Sequence, residues 1–471
     1  MHAKWRKASL GLAVFMTLAT PVTAAPVDLG DLVIAPDAET FRLENGLEVV
    51  VIPDRRAPIV THMIWYRVGS ADEPAGKSGI AHYLEHLMFK GTDANPGNTF
   101  SAKVARVGGR ENAFTSNDYT AYFQQVSKEN LADMMAMEAD RMRGLVLTED
   151  VSAPELNVVL EERRARVETR PSAELGEAMD QVLFVNHPYG DPVIGWPDEV
   201  ANLTHDDAIN FYRDHYRPAN AVLVIAGDVT SAEIRKLAEE TYGAIEDGQP
   251  PAVRVRPRMQ SIRADRTVEL KDPRVEQAST QIAWLVPSYT TAEPGTGEAL
   301  DVLAEILGGT NTSRLHKALV RDEELAISTG TWYQSSALDA TRFVFYATPR
   351  DGVPLEKIEA RALDEDFRAD VAAIRMAGIS GDGPVICRPL CRMASVQSGQ
   401  SCLGDGEKTS DRPGRQPRHE ERASMPWQPT ARRPEGLQDT ALRRRFHASW
   451  SLVWIRGGEI AERREDEVRV W

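Results

Sequence analysis

The sequence predicts an α+β protein of two homologous domains, each a mostly antiparallel sheet packed on helices, with the second copy incomplete. Three observations carry this expectation. A chain of 471 residues exceeds what one ordinary hydrophobic core serves. Strand-like stretches come first and helical ones follow, the order of an α+β layer. The helical segment ending in Gly91-Thr92 has an echo ending in Gly309-Thr310, an offset of 218 residues that marks an internal repeat. The composition, 42% hydrophobic and 27% charged, is that of a globular protein, and a net charge of -15 argues against a nucleic-acid partner, which needs a basic face.

Taken in order, the chain opens on the basic segment His2-Ala3-Lys4-Trp5-Arg6-Lys7. An apolar run over 8–19, short for a bilayer span, and the small residues Val22-Thr23-Ala24 follow. These predict a signal peptide over residues 1–24, cleaved after Ala24, and an exported, periplasmic chain. Residues 40–43 and 47–52 flank Asn45-Gly46, the dipeptide that most favours a tight hairpin, and 59–68 alternates as a further strand. Residues 69–79, small and charged, form the loop that delivers the chain to a helix.

That helix carries His82-Tyr83-Leu84-Glu85-His86. At 3.6 residues per turn His82 and His86 stand one above the other, with Glu85 beside them within roughly a 100° arc. Ile80, Leu84, Leu87 and Met88 make a separate apolar stripe that can bury the helix. Two imidazoles four residues apart suit a metal, and hydrolytic zinc sites take three protein ligands while keeping a position for water. A third ligand must therefore come from elsewhere. Glu162, in a second helical segment over 157–164, is the best candidate, and Glu155, two turns earlier on the same face, can orient the ligands. The order His-x-x-Glu-His is the signature of the inverted zincins.

On these residues, with a glutamate 76 positions beyond His86 and another seven before it, the chain resembles the pitrilysin family of zinc peptidases. That family includes insulin-degrading enzyme and the mitochondrial processing peptidase β subunit. The resemblance implies a zinc-dependent metalloendopeptidase acting on peptides or unfolded segments, with His82, His86 and Glu162 holding Zn2+ and Glu85 as general base. It also implies that Asn112 and Ala113, within the run 111–123, lie on an edge strand that pairs with the backbone of an extended peptide, where main-chain hydrogen bonds give affinity with little sequence demand. Family members enclose substrate between paired halves, so a homo- or hetero-oligomer with another peptidase-like subunit is an expected arrangement. Some members are non-catalytic subunits that present substrate, and this alternative stays open. His187-Pro188-Tyr189-Gly190 with Gly195-Trp196, and residues 211–227 with a buried strand at 222–225, match the family as fold-defining stretches, which makes His187 and His215 poor ligand candidates.

Residues 247–266, with Gln249-Pro250-Pro251 and scattered arginines, read as a linker. The pattern then restarts with a strand at 281–286 and a helix over 297–310. At the 218-residue offset, Leu300, Leu303 and Ala304 stand where His82, Glu85 and His86 stood, so the second copy has no metal site. Ser313-Arg314-Leu315 and a strand at 343–347 continue it. Two long helices and a closing strand should follow, but their patterns are missing. From about residue 380 all three cysteines turn up, tyrosine vanishes and prolines interrupt every helical window. The expectation is a frame change near Ser380 and a second sheet with one face uncovered; by the resemblance, the arginine and tyrosine that the family takes from its second half would fall within this aberrant tail. Cys387 and Cys391 read as incidental, since no second pair completes a metal cluster. The expected domains are the signal peptide at 1–24, a catalytic domain at 35–246, the linker at 247–266, an inactive partial copy at 267–380 and a disordered tail at 381–471.

Overall fold

The computed structural model describes residues 37–246, 254–257, 259, 264–364 and 385–390. The signal-peptide segment, most of the linker and most of the tail lie outside the described residues. The Asn45-Gly46 hairpin forms as expected between β1 (Glu39–Arg42) and β2 (Glu48–Pro53), with Gly46 at φ 89°. Asn45 Nδ2 donates to the carbonyls of Tyr242 and Ile245 at 2.8 and 3.0 Å, which ties the turn to the end of the first half.

The first half continues through β3 (Ile59–Tyr66), α1 (Ile80–Leu87), α2 (Thr99–Arg106), β4 (Arg110–Thr115), β5 (Thr120–Ser127), α3 (Leu131–Gly144), α4 (Glu149–Arg163) and α5 (Pro171–Leu183). The short α6 (Pro197–Ala201), α7 (His205–His215), β6 (Ala221–Gly227) and α8 (Ser231–Glu240) complete it. Its six strands lie in the order β1-β2-β6-β3-β5-β4, with β6 parallel to β2 and antiparallel to β3. The period-2 pattern of the strands does what it predicts: Val49, Val51, Val60, Ile64 and Tyr66 are fully buried in one core. The apolar stripe of α1 joins that core through Ile80, Leu84 and Leu87, with Met88 just beyond. At about 1.5–3 kcal/mol per fully buried aliphatic side chain, this stripe fixes which way the polar arc of α1 must face.

The second half repeats the plan: β7 (Arg266–Lys271), β8 (Thr280–Val286), α9 (Thr296–Ala304), β9 (Ala326–Tyr333), β10 (Thr341–Pro349), α10 (Leu355–Ala362) and β11 (Val385–Leu390), in the sheet order β7-β11-β8-β10-β9. Two expectations are corrected here. The closing strand is present, for β11 runs parallel to β7 and antiparallel to β8, as β6 does between β2 and β3. It comes early: 36 positions separate Pro349 from Val385, against 94 between Ser127 and Ala221. No apolar alternation announces it, because the pairing is made by backbone groups that every non-proline residue carries.

The second correction concerns the face expected to be bare. Ile282, Trp284, Val286, Phe343 and Phe345 pack under α9 and α10 on one side. On the other, Ala283, Leu285 and Val344 are covered by Leu175, Met179 and Leu183 of α5, a helix of the first half that crosses β7, β8 and β11. Among the described residues nothing corresponds to α4 to α7 in the second half, and α5 serves in their place. The stretch 365–384, before the closing strand, where the two long helices were expected, lies outside the described residues.

Candidate active site

The loop before α1 sets its start. Gly79 adopts φ 86°, and a Cβ there would meet the Ile194 carbonyl at 2.8 Å and Gly195 Cα at 2.9 Å, so only glycine fits. The helix ends in a tight turn, Met88–Lys90, closed by Gly91 at φ 96°. Within these limits His82 is buried, and Glu85 and His86 are partly buried.

α4 supplies the facing wall. Glu155, Val159 and Glu162 share one face of it, Val159 is fully buried in the first core, and Tyr83 Oη on α1 donates to the Ser152 carbonyl at 2.8 Å. Glu162 Oε2 stands 3.1 Å from His86 Nε2 and 3.7 Å from His82 Nε2. One ligand atom from each of the three lies within 4.8 Å of the others. Glu161, one residue earlier, points away with its side chain 68% exposed and pairs with Arg164 at 2.6 Å.

Each of these groups has a holder. Glu155 Oε1 accepts from His86 Nδ1 at 2.9 Å, and its other oxygen pairs with Lys90. Burial pulls the Glu155 carboxyl upward, but the Lys90 and His86 hydrogen bonds outweigh it and hold the group below its ordinary value. Arg166, in the widened helical turn Arg164–Glu168, holds Glu162 Oε1 at 2.7 Å. Thr115 Oγ1, at the end of β4, donates to Glu85 Oε2 at 2.5 Å. Burial raises the Glu85 carboxyl against that bond. Burial, then His86 and Arg166, push the His82 imidazole down to about 3, so His82 is neutral.

Asn112 and Ala113 sit on β4, which lies at the sheet edge and, among the described residues, pairs only with β5. Ala113 N–H donates to Asn112 Oδ1 at 2.9 Å. His187 faces Asp339 at 3.3 Å and His215 lies tilted against Phe211, both remote from this cluster in their contacts. The residues that sequence reasoning missed are Thr115, Lys90 and Arg166. Thr115 had a signal, since it closes the Asn112-Ala113-Phe114-Thr115 run; the other two look like surface cations until α1 and α4 are placed together.

The donor set fits zinc. Ligand bonds of about 2.0–2.1 Å at tetrahedral angles separate ligand atoms by roughly 3.3 Å; Glu162 stands 3.1 and 3.7 Å from the two imidazole nitrogens, and the three ligand atoms all lie within 4.8 Å of one another. Glu155 occupies His86 Nδ1 and so leaves Nε2 as the atom that faces Glu162.

The chain is similar to known zinc proteases. Residues 48–196 match the insulinase domain of peptidase family M16, and residues 202–379 match the peptidase M16 inactive domain. The chain is 33% identical over 327 residues to a zinc protease, PqqE, of Helicobacter pylori, covering 69% of this chain and 72% of that one. It is 33% identical over 310 residues to an uncharacterized zinc protease of Streptomyces coelicolor, covering 65% and 66%. The crystal structure of a protease from Helicobacter pylori superposes with a TM-score of 0.65 at 31% identity, over 72% of this chain and 84% of that one. The chain belongs to peptidase family M16, the pitrilysin or insulinase family of zinc metallopeptidases.

Proposed function

We propose that His82, His86 and Glu162 hold the zinc ion of this metalloendopeptidase, that Glu85 is its general base, and that β4 binds the peptide. The observation that carries this reading is the convergence of the three ligand atoms within 4.8 Å on two helices locked face to face. Zinc, when bound, supplies Lewis acidity that polarises a scissile carbonyl and brings the pKa of water toward about 7. Thr115 fixes Glu85 Oε2 and so leaves Oε1 to take a proton from the attacking water and return it to the leaving amine. The raised Glu85 carboxyl suits a group that must both accept and release that proton.

An extended peptide adds to the free edge of β4 as a further strand, exchanging main-chain hydrogen bonds alongside Asn112 and Ala113. To do so it displaces Asn112 Oδ1 from the Ala113 N–H. Because Thr115 ends β4 and holds Glu85, the added strand is delivered to the base. The alternative of a non-catalytic peptide-binding subunit is not favoured, since the donor set and the base are complete. The N-terminal residues support an exported, periplasmic enzyme released after Ala24, and the family's paired halves support association with a second peptidase-like subunit. The test of the site is cleavage of a quenched fluorescent peptide before and after chelation. Activity that disappears with zinc removal and returns with zinc alone supports the reading; cleavage that persists in the metal-free chain contradicts it.

A further inference from the structure

The loop between β3 and α1 is gripped at two adjacent residues by different parts of the chain. Glu73 reaches forward. Its Oε2 accepts the Gly79 N–H at 2.9 Å and its Oε1 the Ala81 N–H at 2.8 Å. Gly79 precedes the first turn of α1 and has no side chain to cap it, so Glu73 supplies the acceptor that serine or asparagine supplies at other helix starts. Ala81 is the residue before His82.

Asp72 reaches back. Its Oδ1 accepts from Arg256 Nη2 and its Oδ2 pairs with Arg254 Nη2, both at 2.9 Å. These arginines belong to the segment that joins the halves. Arg256 extends to Asp118 Oδ1 at 2.6 Å and to Asp339 Oδ2, in the second half, at 3.2 Å. Asp118 also accepts from Tyr189 Oη at 2.8 and 2.7 Å and from the Leu338 N–H at 3.1 Å. The Arg256 and Asp72 side chains are only 8% and 9% exposed, which places them in a medium where such pairs must be satisfied. Neighbouring Ala71 lies in the apolar cluster shared by α5 and the second sheet.

We propose that Glu73 is a positioning residue for the metal helix, and that Arg254 and Arg256, by pinning Asp72, let the placement of the second half set the register of His82, Glu85 and His86. The proposal deepens the zinc reading and rests on it. Consecutive Cα atoms are about 3.8 Å apart, so Asp72 cannot shift without carrying Glu73. Glu73 in turn holds a helix of only eight residues by its first N–H groups. Metal–ligand distances vary by only about 0.2 Å, so a displacement of α1 against α4 strains the bonds that His82 and His86 make at a site shared with Glu162. The second half, which among the described residues supplies no ligand, acts on the site through this clamp.

The test uses the full chain with Glu73→Ala, Glu73→Gln, Arg256→Ala and, as a control, Arg274→Ala. Arg274 also joins the halves, bonding the Glu168 carbonyl at 2.7 Å and Glu174 at 3.1 Å, but it does not touch Asp72. Zinc affinity is read by competition with a chromogenic chelator, ligand geometry by the visible spectrum of the cobalt-loaded protein, and folding by circular dichroism. Arg256→Ala and Glu73→Ala weaken zinc by about tenfold or more and alter the cobalt bands, as loss of groups that orient ligands does. Glu73→Gln keeps an acceptor oxygen and recovers most of the affinity, and Arg274→Ala stays within about twofold of wild type. If Glu73→Ala does not fold, Arg256→Ala carries the test. Zinc affinity unchanged in Arg256→Ala, or weakened equally by Arg274→Ala, overturns the proposal while leaving the zinc reading intact; a wild-type chain that binds no zinc overturns both.

Discussion

α1 and α9 occupy equivalent places beside equivalent sheets, yet α1 turns His82, Glu85 and His86 toward α4, whereas α9 buries Leu300 and Ala304 in its own core with Leu303 packed against it. The same contrast holds across the helix: Glu162 faces α1 from α4, and among the described residues nothing stands in that place beside α9. The scaffold therefore does not make the site. Three polar residues on one helix and one carboxylate on its neighbour do, and where they are replaced by apolar residues the helix closes over its face. The halves also differ in self-sufficiency, because the second sheet takes its cover on one side from α5 of the first half.

The comparison breaks most sharply at the donors. His82→Ala and Glu162→Ala should each lose zinc and all peptide cleavage, making α1 chemically like α9, while Glu161→Ala, whose side chain is 68% exposed, should bind zinc as wild type does. Metal analysis after gel filtration checks both, and zinc loss in Glu161→Ala alone would move the ligand by one residue. Next in size is the dependence of the second half on α5. Leu183→Ala, at a site 1% exposed, should cost about 2–5 kcal/mol in urea unfolding. A cost under about 0.5 kcal/mol would mean that α5 does not cover the second sheet.

A smaller effect tests the holder of His86. Glu155→Ala should weaken zinc by about 10–100-fold without abolishing binding, read by chelator competition. The smallest concerns pH at the junction of the halves. The His187 hydrogen bond, with Arg256, holds the Asp339 carboxyl below its ordinary value. A depressed carboxyl stabilises the fold above its unfolded value near 3.9, and that contribution is lost as pH falls through its folded value. Asp339→Asn should therefore flatten the acid side of the stability profile below about pH 4 and leave the slope near pH 7 unchanged, as measured by urea midpoints.

Much of the first half was legible, for definite reasons. His82, Glu85 and His86 are dense in sequence, and helical period alone puts them on one arc; Glu155, Val159 and Glu162 obey the same period on α4. The Asn45-Gly46 turn and the alternation of β2 and β3 are local signals with local outcomes. What was not legible is what depends on pairing across distance. β11 closes a sheet with backbone groups and needs no side-chain pattern. The apolar face of α5 shows in its sequence, but nothing there says that it belongs to the other half's sheet. Arg254 and Arg256 read as linker residues because their partners, Asp72, Asp118 and Asp339, are scattered over more than 260 positions. Thr115 is one ordinary threonine until β4 is laid beside α1.

We infer that one helix holds ligands and base in separate roles, His82 and His86 for the metal and Glu85 for the proton. Zinc content and peptide cleavage measured together on Glu85→Gln test it directly. Glu85→Gln should bind one zinc per chain, as wild type does, with kcat/KM lowered by at least about 100-fold. Loss of zinc in that variant, or cleavage close to the wild-type rate, would contradict it.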